Sequence, residues 1–252
     1  MAGLVDIEGY DEPVINICSN NSKGEIIELD GIFIQKPKKP VKNKILYHEK
    51  PKAEQRWIRC DMPDQLKDIK SMDEWRGMPR DFKNKYSVYI EEEFRRRREG
   101  LWFYNNGNAT YITGRHYMAL QWSKFDVGYP FYYAFQNKIM THLEACICDP
   151  RCLGQEYVKC RRSGYTNLSS AVIVDEATQV KNKLLGIQSK TGKDAQENIF
   201  MKKIVPMQKH YPFFFKPIQD GSTNPRMELA FREPSKRITK TNKTSQKGEA
   251  LN

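Results

Sequence analysis

Eight consecutive residues, Lys159-Cys160-Arg161-Arg162-Ser163-Gly164-Tyr165-Thr166, carry the side-chain types needed to hold a phosphate chain. Such a loop needs backbone N–H groups at a helix N-terminus, a cation reaching the β- and γ-oxygens, and a Ser or Thr hydroxyl for Mg²⁺. The common spelling G-x-x-x-x-G-K-[ST] is absent. Gly164 stands where the backbone must approach a phosphate closely, Tyr165 takes the usual lysine position, and Thr166 follows it. Lys159 lies at the other end of the loop and can reach back to the γ-phosphate, while Arg161 and Arg162 add donors suited to phosphate oxygens. A basic surface turn would have the same composition. The two readings differ in their setting, because a simple basic patch has no need of a strand before it and a helix after it.

That setting is expected here. Residues 156–160 read as a short strand, 161–166 as a loop, and 167 to about 182 as a helix. Residues 183–189 read as a second strand, and Thr191-Gly192-Lys193-Asp194 opens a second helix reaching about Met207. This order suggests a βαβ unit and a parallel sheet. Upstream, residues 101–104 and 109–113 flank Asn105-Asn106-Gly107-Asn108 and predict a β-hairpin. A strand is expected over 116–122. Phe135, Ile139, Leu143 and Ile147 recur every four residues, which predicts a helix over 135–148 with those residues on one face. Before the hairpin, residues 14–17, 25–29 and 31–34 are β-like runs, and the Lys/Pro-rich stretch 35–42 reads as an arm or linker. Residues 64–99 suit helices. Their charge block, Glu91 to Arg98, reads as a solvated face with acids supporting bases one turn on rather than as a DNA contact.

The sequence has 252 residues with 42 Lys+Arg against 31 Asp+Glu, a net charge of +11, 39% hydrophobic residues and a mean hydropathy of −0.74. There are enough apolar and aromatic residues for a core, so the composition does not demand disorder. The positive balance leans towards nucleic acid, nucleotides or another polyanion. The start shows no secretory signal, and no run approaches the ~18 apolar residues of a membrane span. A soluble, intracellular, non-secreted protein with no membrane partner is expected. Its six cysteines are too sparse and irregular for a disulfide scaffold and read as reduced thiols.

The string Lys159-x-Arg161-Arg162-x-Gly164-Tyr165-Thr166 resembles the deviant Walker A motif of tailed-phage terminase large subunits, especially the lambda-type and crAss-like groups. In those the lysine moves to the front of the loop and an aromatic follows the glycine. Residues 100–107, 111–117 and 128–133 are similar to the stretch leading into that family's ATPase core. The resemblance covers about residues 95–215. It implies the ATP-binding part of a DNA-packaging motor that couples ATP hydrolysis to translocation of double-stranded DNA into a procapsid. The implied fold is α/β, an incomplete ASCE-type P-loop parallel sheet with an N-terminal α+β extension and β-hairpin. Residues 1–90 match nothing in that family, and from their own composition they would form an N-terminal arm and helical region. Residues 91–252 would be the first part of the ATPase domain, with the P-loop at 159–166 and a polar basic tail at 232–252.

The resemblance also implies roles and partners. ATP and Mg²⁺ would be the cofactors. Lys159 would contact the γ-phosphate, Arg161 and Arg162 the triphosphate charge, Ser163, Gly164 and Tyr165 the phosphates, and Thr166 the Mg²⁺. Gln136, following Pro130 and Tyr133, matches a residue that contacts adenine, although a surface-helix glutamine would read the same. Partners would be the portal protein and the small terminase subunit, in a homo-oligomeric ring when complete, in the host cytoplasm and transiently at the procapsid.

Two departures from the family pattern stand out. The only lookalike of a Walker B strand, Ala171-Val172-Ile173-Val174-Asp175-Glu176, begins too soon after Thr166 for a crossover to a parallel strand. Asp175 and Glu176 are therefore expected on the helix after the loop, not as catalytic carboxylates. No acidic nuclease cluster follows, and only 86 residues lie beyond Thr166, so the catalytic and nuclease parts are expected outside this sequence. The reading from another class is a non-enzymatic basic nucleic-acid-binding or virion structural protein whose Arg-rich loop meets DNA phosphates.

Other clusters carry less. His142, Cys146, Cys148 and Cys152 are zinc-ligand types, but their spacing is not a common finger pattern and a helix would send Cys146 and Cys148 to different sides. They read as ordinary thiols. His48, His116 and His210 lack companions at telling spacing, and Ser163 lacks a general base. The aromatic run from Tyr211 to Phe215 reads as core or subunit contact, with base stacking as the lesser reading.

Overall fold

A computed structural model of the chain describes residues 2–18, 23–47 and 57–232. Most of the basic tail, from residue 233, lies outside the described residues. The fold is mixed α/β with small sheets. Strands β1 (Gly3–Val5), β2 (Val14–Asn16), β3 (Lys23–Leu29) and β4 (Ile32–Pro37) form one sheet in the order β1-β2-β4-β3. Only the β2–β4 pairing is parallel. The β3–β4 turn uses Asp30 at φ +50° and Gly31 at φ +81°, the paired left-handed residues of a two-residue hairpin. The Lys/Pro stretch differs from expectation in its first three residues. Gln35 and Pro37 pair with β3, because a strand's last residue can lose its N–H without breaking the ladder.

Helices α1 (Asp64–Lys67), α2 (Met72–Gly77) and α3 (Arg80–Glu99) follow. Ser71 starts α2 by accepting the N–H of Glu74 at 3.2 Å. The charge block on α3 is only partly a solvated face. Arg95, which is exposed, pairs with the half-buried Glu99 at 3.3 Å, but Glu93 and Arg97 are buried. Glu93 accepts the indole N–H of Trp122 at 2.9 Å.

The expected hairpin is present as β5 (Leu101–Asn105) and β6 (Asn108–Ile112), with Asn106 and Gly107 both left-handed at the turn. The next segment is not the expected strand. It is a helix, α4 (Gly114–Gln121), in which Thr113 accepts the N–H of His116 through its hydroxyl and that of Tyr117 through its carbonyl. Residues 116–122 are buried on every side, so they carry no alternation to tell a helix from a strand. Helix α5 (Ala134–Cys148) forms where expected, with a different buried face. Phe135 and Ile147 are 43% and 50% exposed, while Gln136, Ile139, Met140 and Ala145 are buried.

Residues 156–160 and 183–189, both expected as strands, are irregular and pair with no strand among the described residues. Between them runs α6 (Tyr165–Gln179). After Thr191, which accepts the N–H of Asp194, α7 (Gly192–Asp194) continues through a π-helical stretch (Ala195–Ile204) into α8 (Val205–His210). Strands β7 (Ile218–Asp220) and β8 (Ala230–Arg232) pair antiparallel.

The chain divides into two units, each drawing on residues from both sides of position 90. The first comprises Met1–Ile58, Phe94–Leu120 and Phe131–Ser163. Its core gathers Ile15, Ile17 and Ile34 from the sheet, Trp102, Tyr104 and Tyr111 from the hairpin, and Ala145 from α5. The second comprises Arg59–Glu93, Gln121–Pro130 and Gly164–Asn252. There Trp75, Tyr89 and Trp122 stack edgewise or tilted on Phe213, Phe214 and Phe215, which makes the aromatic run core rather than an exposed stacking platform.

Gly114 tests the packing of the first unit. Alanine usually stabilises a helical glycine position by about 0.5–1 kcal/mol. At Gly114 a Cβ would lie 1.9 Å from the carbonyl oxygen of Arg97. Gly114→Ala is therefore expected to destabilise the protein, by about 1–3 kcal/mol as overpacking does, read as a lower urea midpoint.

Candidate phosphate-binding loop

The loop emerges from an irregular stretch and ends on a helix. Lys159, Cys160, Arg161 and Arg162 are exposed, Ser163 and Tyr165 are half-buried, and Gly164 and Thr166 are exposed. Gly164 is the residue that begins α6, at φ +76°. Arg162 also adopts a left-handed backbone, at φ +68°. For a non-glycine residue this conformation costs about 1–2 kcal/mol, so something must hold it. One restraint comes from the first turn of α5, where the buried Gln136 donates its side-chain N–H to the Ser163 carbonyl at 3.1 Å. The Ser163 hydroxyl oxygen is buried and has no hydrogen-bond partner among the described residues.

Electrostatically the start of α6 is positive, with nothing among the described residues to cap or pair it. No side chain caps it and its first turn holds no acid, so the partial positive charge of the helix end adds to Lys159, Arg161 and Arg162. Among the described residues none of these three cations forms an ion pair. The start of α7 contrasts with it. Asp194 sits in that first turn, and hydrogen bonds from Ser189 and Asn198 hold its carboxyl below the usual range. The helix there supplies its own anion.

Asp175 and Glu176 lie within α6, buried, as the spacing predicts. Gln179 donates to Asp175 at 3.5 Å and Lys183 pairs with Glu176. Thr166 accepts the Ser170 hydroxyl through its backbone carbonyl at 2.7 Å, a bond that leaves the Thr166 side chain uninvolved.

The thiol cluster sits at the C-terminal end of α5. His142 Nδ1 accepts from Gln155 at 2.7 Å and lies 3.5 Å from Cys146 Sγ. Burial, followed by a hydrogen bond with Cys152, pushes the Cys146 thiol up to about 11. Burial and then Glu144 push Cys148 up to about 11. Among the described residues no group of three potential ligands is placed to hold a metal. His48 lies outside the described residues, and His210 is an exposed ring bonded to the Pro206 carbonyl.

Sequence reasoning missed His116. It is fully buried, stacked on Tyr132 with ring centroids 5.8 Å apart, and bonded through Nδ1 to Asn137 Oδ1 at 3.1 Å. Asn137 gives its amide N–H to the Tyr111 carbonyl, so its oxygen faces the ring and Nδ1 must carry the proton. No local pattern marks this contact. It joins residues 21 apart in sequence.

No protein-family model, curated protein or solved structure matches the chain. Among the described residues no helix is long and apolar enough to cross a membrane.

Burial lowers the His116 pKa from 6.5 to about 4. As pH falls, the unfolded chain takes up this proton first, so stability is full above about 6.5 and declines down to about 4. The loss reaches about 3 kcal/mol. His116→Phe keeps the ring and removes the titration. Urea denaturation between pH 7.5 and 4 is expected to show a flatter pH dependence for the variant, by about one proton.

Proposed function

We propose that residues 159–166 bind the triphosphate of Mg-ATP and that the chain is the nucleotide-binding part of a viral DNA-packaging motor of the terminase large-subunit type. The observation that carries this reading is the run of exposed cations Lys159, Arg161 and Arg162, unpaired among the described residues, leading into Gly164, the left-handed residue before α6. Oriented N–H groups and cations of this kind stabilise a polyphosphate, and in the reaction they act on charge developing during phosphoryl transfer to water. Lys159 takes the γ-phosphate, Arg161 and Arg162 take flanking oxygens, and the Thr166 hydroxyl ligates Mg²⁺. The work on double-stranded DNA, and the portal, small-subunit and ring contacts, belong to the same proposal through the family resemblance.

This reading makes residues 156–160 and 183–189 strands of a P-loop parallel sheet on either side of α6 in sequence. Val158 and Leu184, 94% and 98% exposed, are the apolar side chains such a sheet would bury. Asp175 and Glu176 stay structural, so the carboxylate that activates water comes from outside α6.

Binding of Mg-ATP to the full chain, measured by calorimetry, tests the proposal. A charge-assisted bond is worth about 1.5–3 kcal/mol, so Lys159→Ala is expected to weaken Mg-ATP by about 10- to 100-fold. Thr166→Ala is expected to weaken Mg-ATP while leaving metal-free ATP unchanged. No binding of Mg-ATP, with Lys159→Ala altering only salt-dependent DNA affinity, would instead make the loop a nucleic-acid contact and the protein a non-enzymatic basic one.

A further inference from the structure

Gln136 invites two different roles at a nucleotide site, and its hydrogen bond separates them. A glutamine that reads a base must leave its amide free for the ligand. The Gln136 amide is buried and spends an N–H on the Ser163 carbonyl, 3.1 Å away and 27 positions along the chain. Ser163 sits between two left-handed residues, Arg162 and Gly164, so neither neighbour's backbone preference holds its peptide in place.

The peptide bond itself supplies the next step. The Ser163–Gly164 bond is trans, as are all the others described, and in a trans peptide the C=O and the following N–H point in opposite directions. Fixing the Ser163 carbonyl towards Gln136 therefore aims the Gly164 N–H away from Gln136. Were the peptide to flip, an oxygen lone pair would replace that N–H and repel an anion. The bond also steadies Arg162 in a conformation that an arginine does not favour.

We infer that Gln136 is a positioning residue: by gripping the Ser163 carbonyl it holds the Ser163–Gly164 peptide with its N–H turned to the phosphate side of the loop. This inference rests on the triphosphate reading above and replaces contact with the base by control of the loop. Its consequence is indifference to the base, because a misaligned N–H costs every triphosphate equally.

The experiment measures dissociation constants of Mg-ATP, Mg-GTP and Mg-tripolyphosphate for the full chain and for Gln136→Leu, Gln136→Met and Lys159→Ala. Gln136→Met keeps the length of the side chain and loses the donor without adding a charge, so it guards against a folding defect in the leucine variant. Both Gln136 variants are expected to weaken all three ligands by a common factor of about five to ten, the worth of one neutral hydrogen bond. In ¹H–¹⁵N spectra, the shift of the Gly164 amide on adding tripolyphosphate is expected to shrink with them. Weaker ATP alone, with GTP and tripolyphosphate unchanged, would overturn the inference and make Gln136 a base contact. So would unchanged affinity for all three while Lys159→Ala still loses binding, an outcome that leaves the triphosphate site standing. Absence of binding to the unaltered chain would overturn both.

Discussion

One amide orders much of the first unit. Asn137, in the first turn of α5, donates to the Tyr111 carbonyl near the end of β6 and accepts from His116 in α4. Three elements are thereby tied by a side chain that can do both only in one orientation. The neighbouring Gln136 extends the same turn to the loop. Since α5 packs on β2 and β6, the loop's Ser163 peptide is referenced to a sheet and a hairpin through two consecutive residues. A half-buried amide with both ends satisfied specifies geometry more sharply than apolar packing does, because a shift of either partner leaves a polar group unpaired.

What was legible in the sequence follows from the range of the forces involved. The β5–β6 hairpin could be read because Asn106-Gly107 encodes its own turn, and Asp30-Gly31 carried the same local signal unread. Helix α4 could not, since residues 116–122 are buried all round and only the cap at Thr113 marks the helix start. The strand-like runs at 156–160 and 183–189 show the opposite failure. Their composition is right, yet a strand exists only with a neighbour to take its N–H and C=O groups, and no described strand supplies one.

The loop divides along the same line. Its cations and glycine were visible as residue types, and Asp175 and Glu176 could be assigned to α6 by spacing alone. The left-handed Arg162 and the Gln136–Ser163 bond were invisible, because they depend on a contact 27 residues long. Resemblance singled out Gln136 by position, but position cannot say whether its amide faces a ligand or the protein's own backbone.

Charge placement then separates this helix start from the others. The +11 balance is general, but several bases on folded elements hold acids: Arg115 holds Glu144 at 2.7 Å, Arg151 holds Asp149 at 3.0 Å, and Lys183 holds Glu176. Only where the chain enters α6 do a left-handed glycine, an acid-free first turn and three unpaired cations coincide among the described residues. An anion arriving there displaces no internal carboxylate, whereas at α7 it would have to expel Asp194. In the proposed reading this asymmetry lets binding and turnover separate. The positive groups that would hold a triphosphate are contiguous in this loop, while Asp175 and Glu176 are committed to the interior of α6 and cannot also orient water.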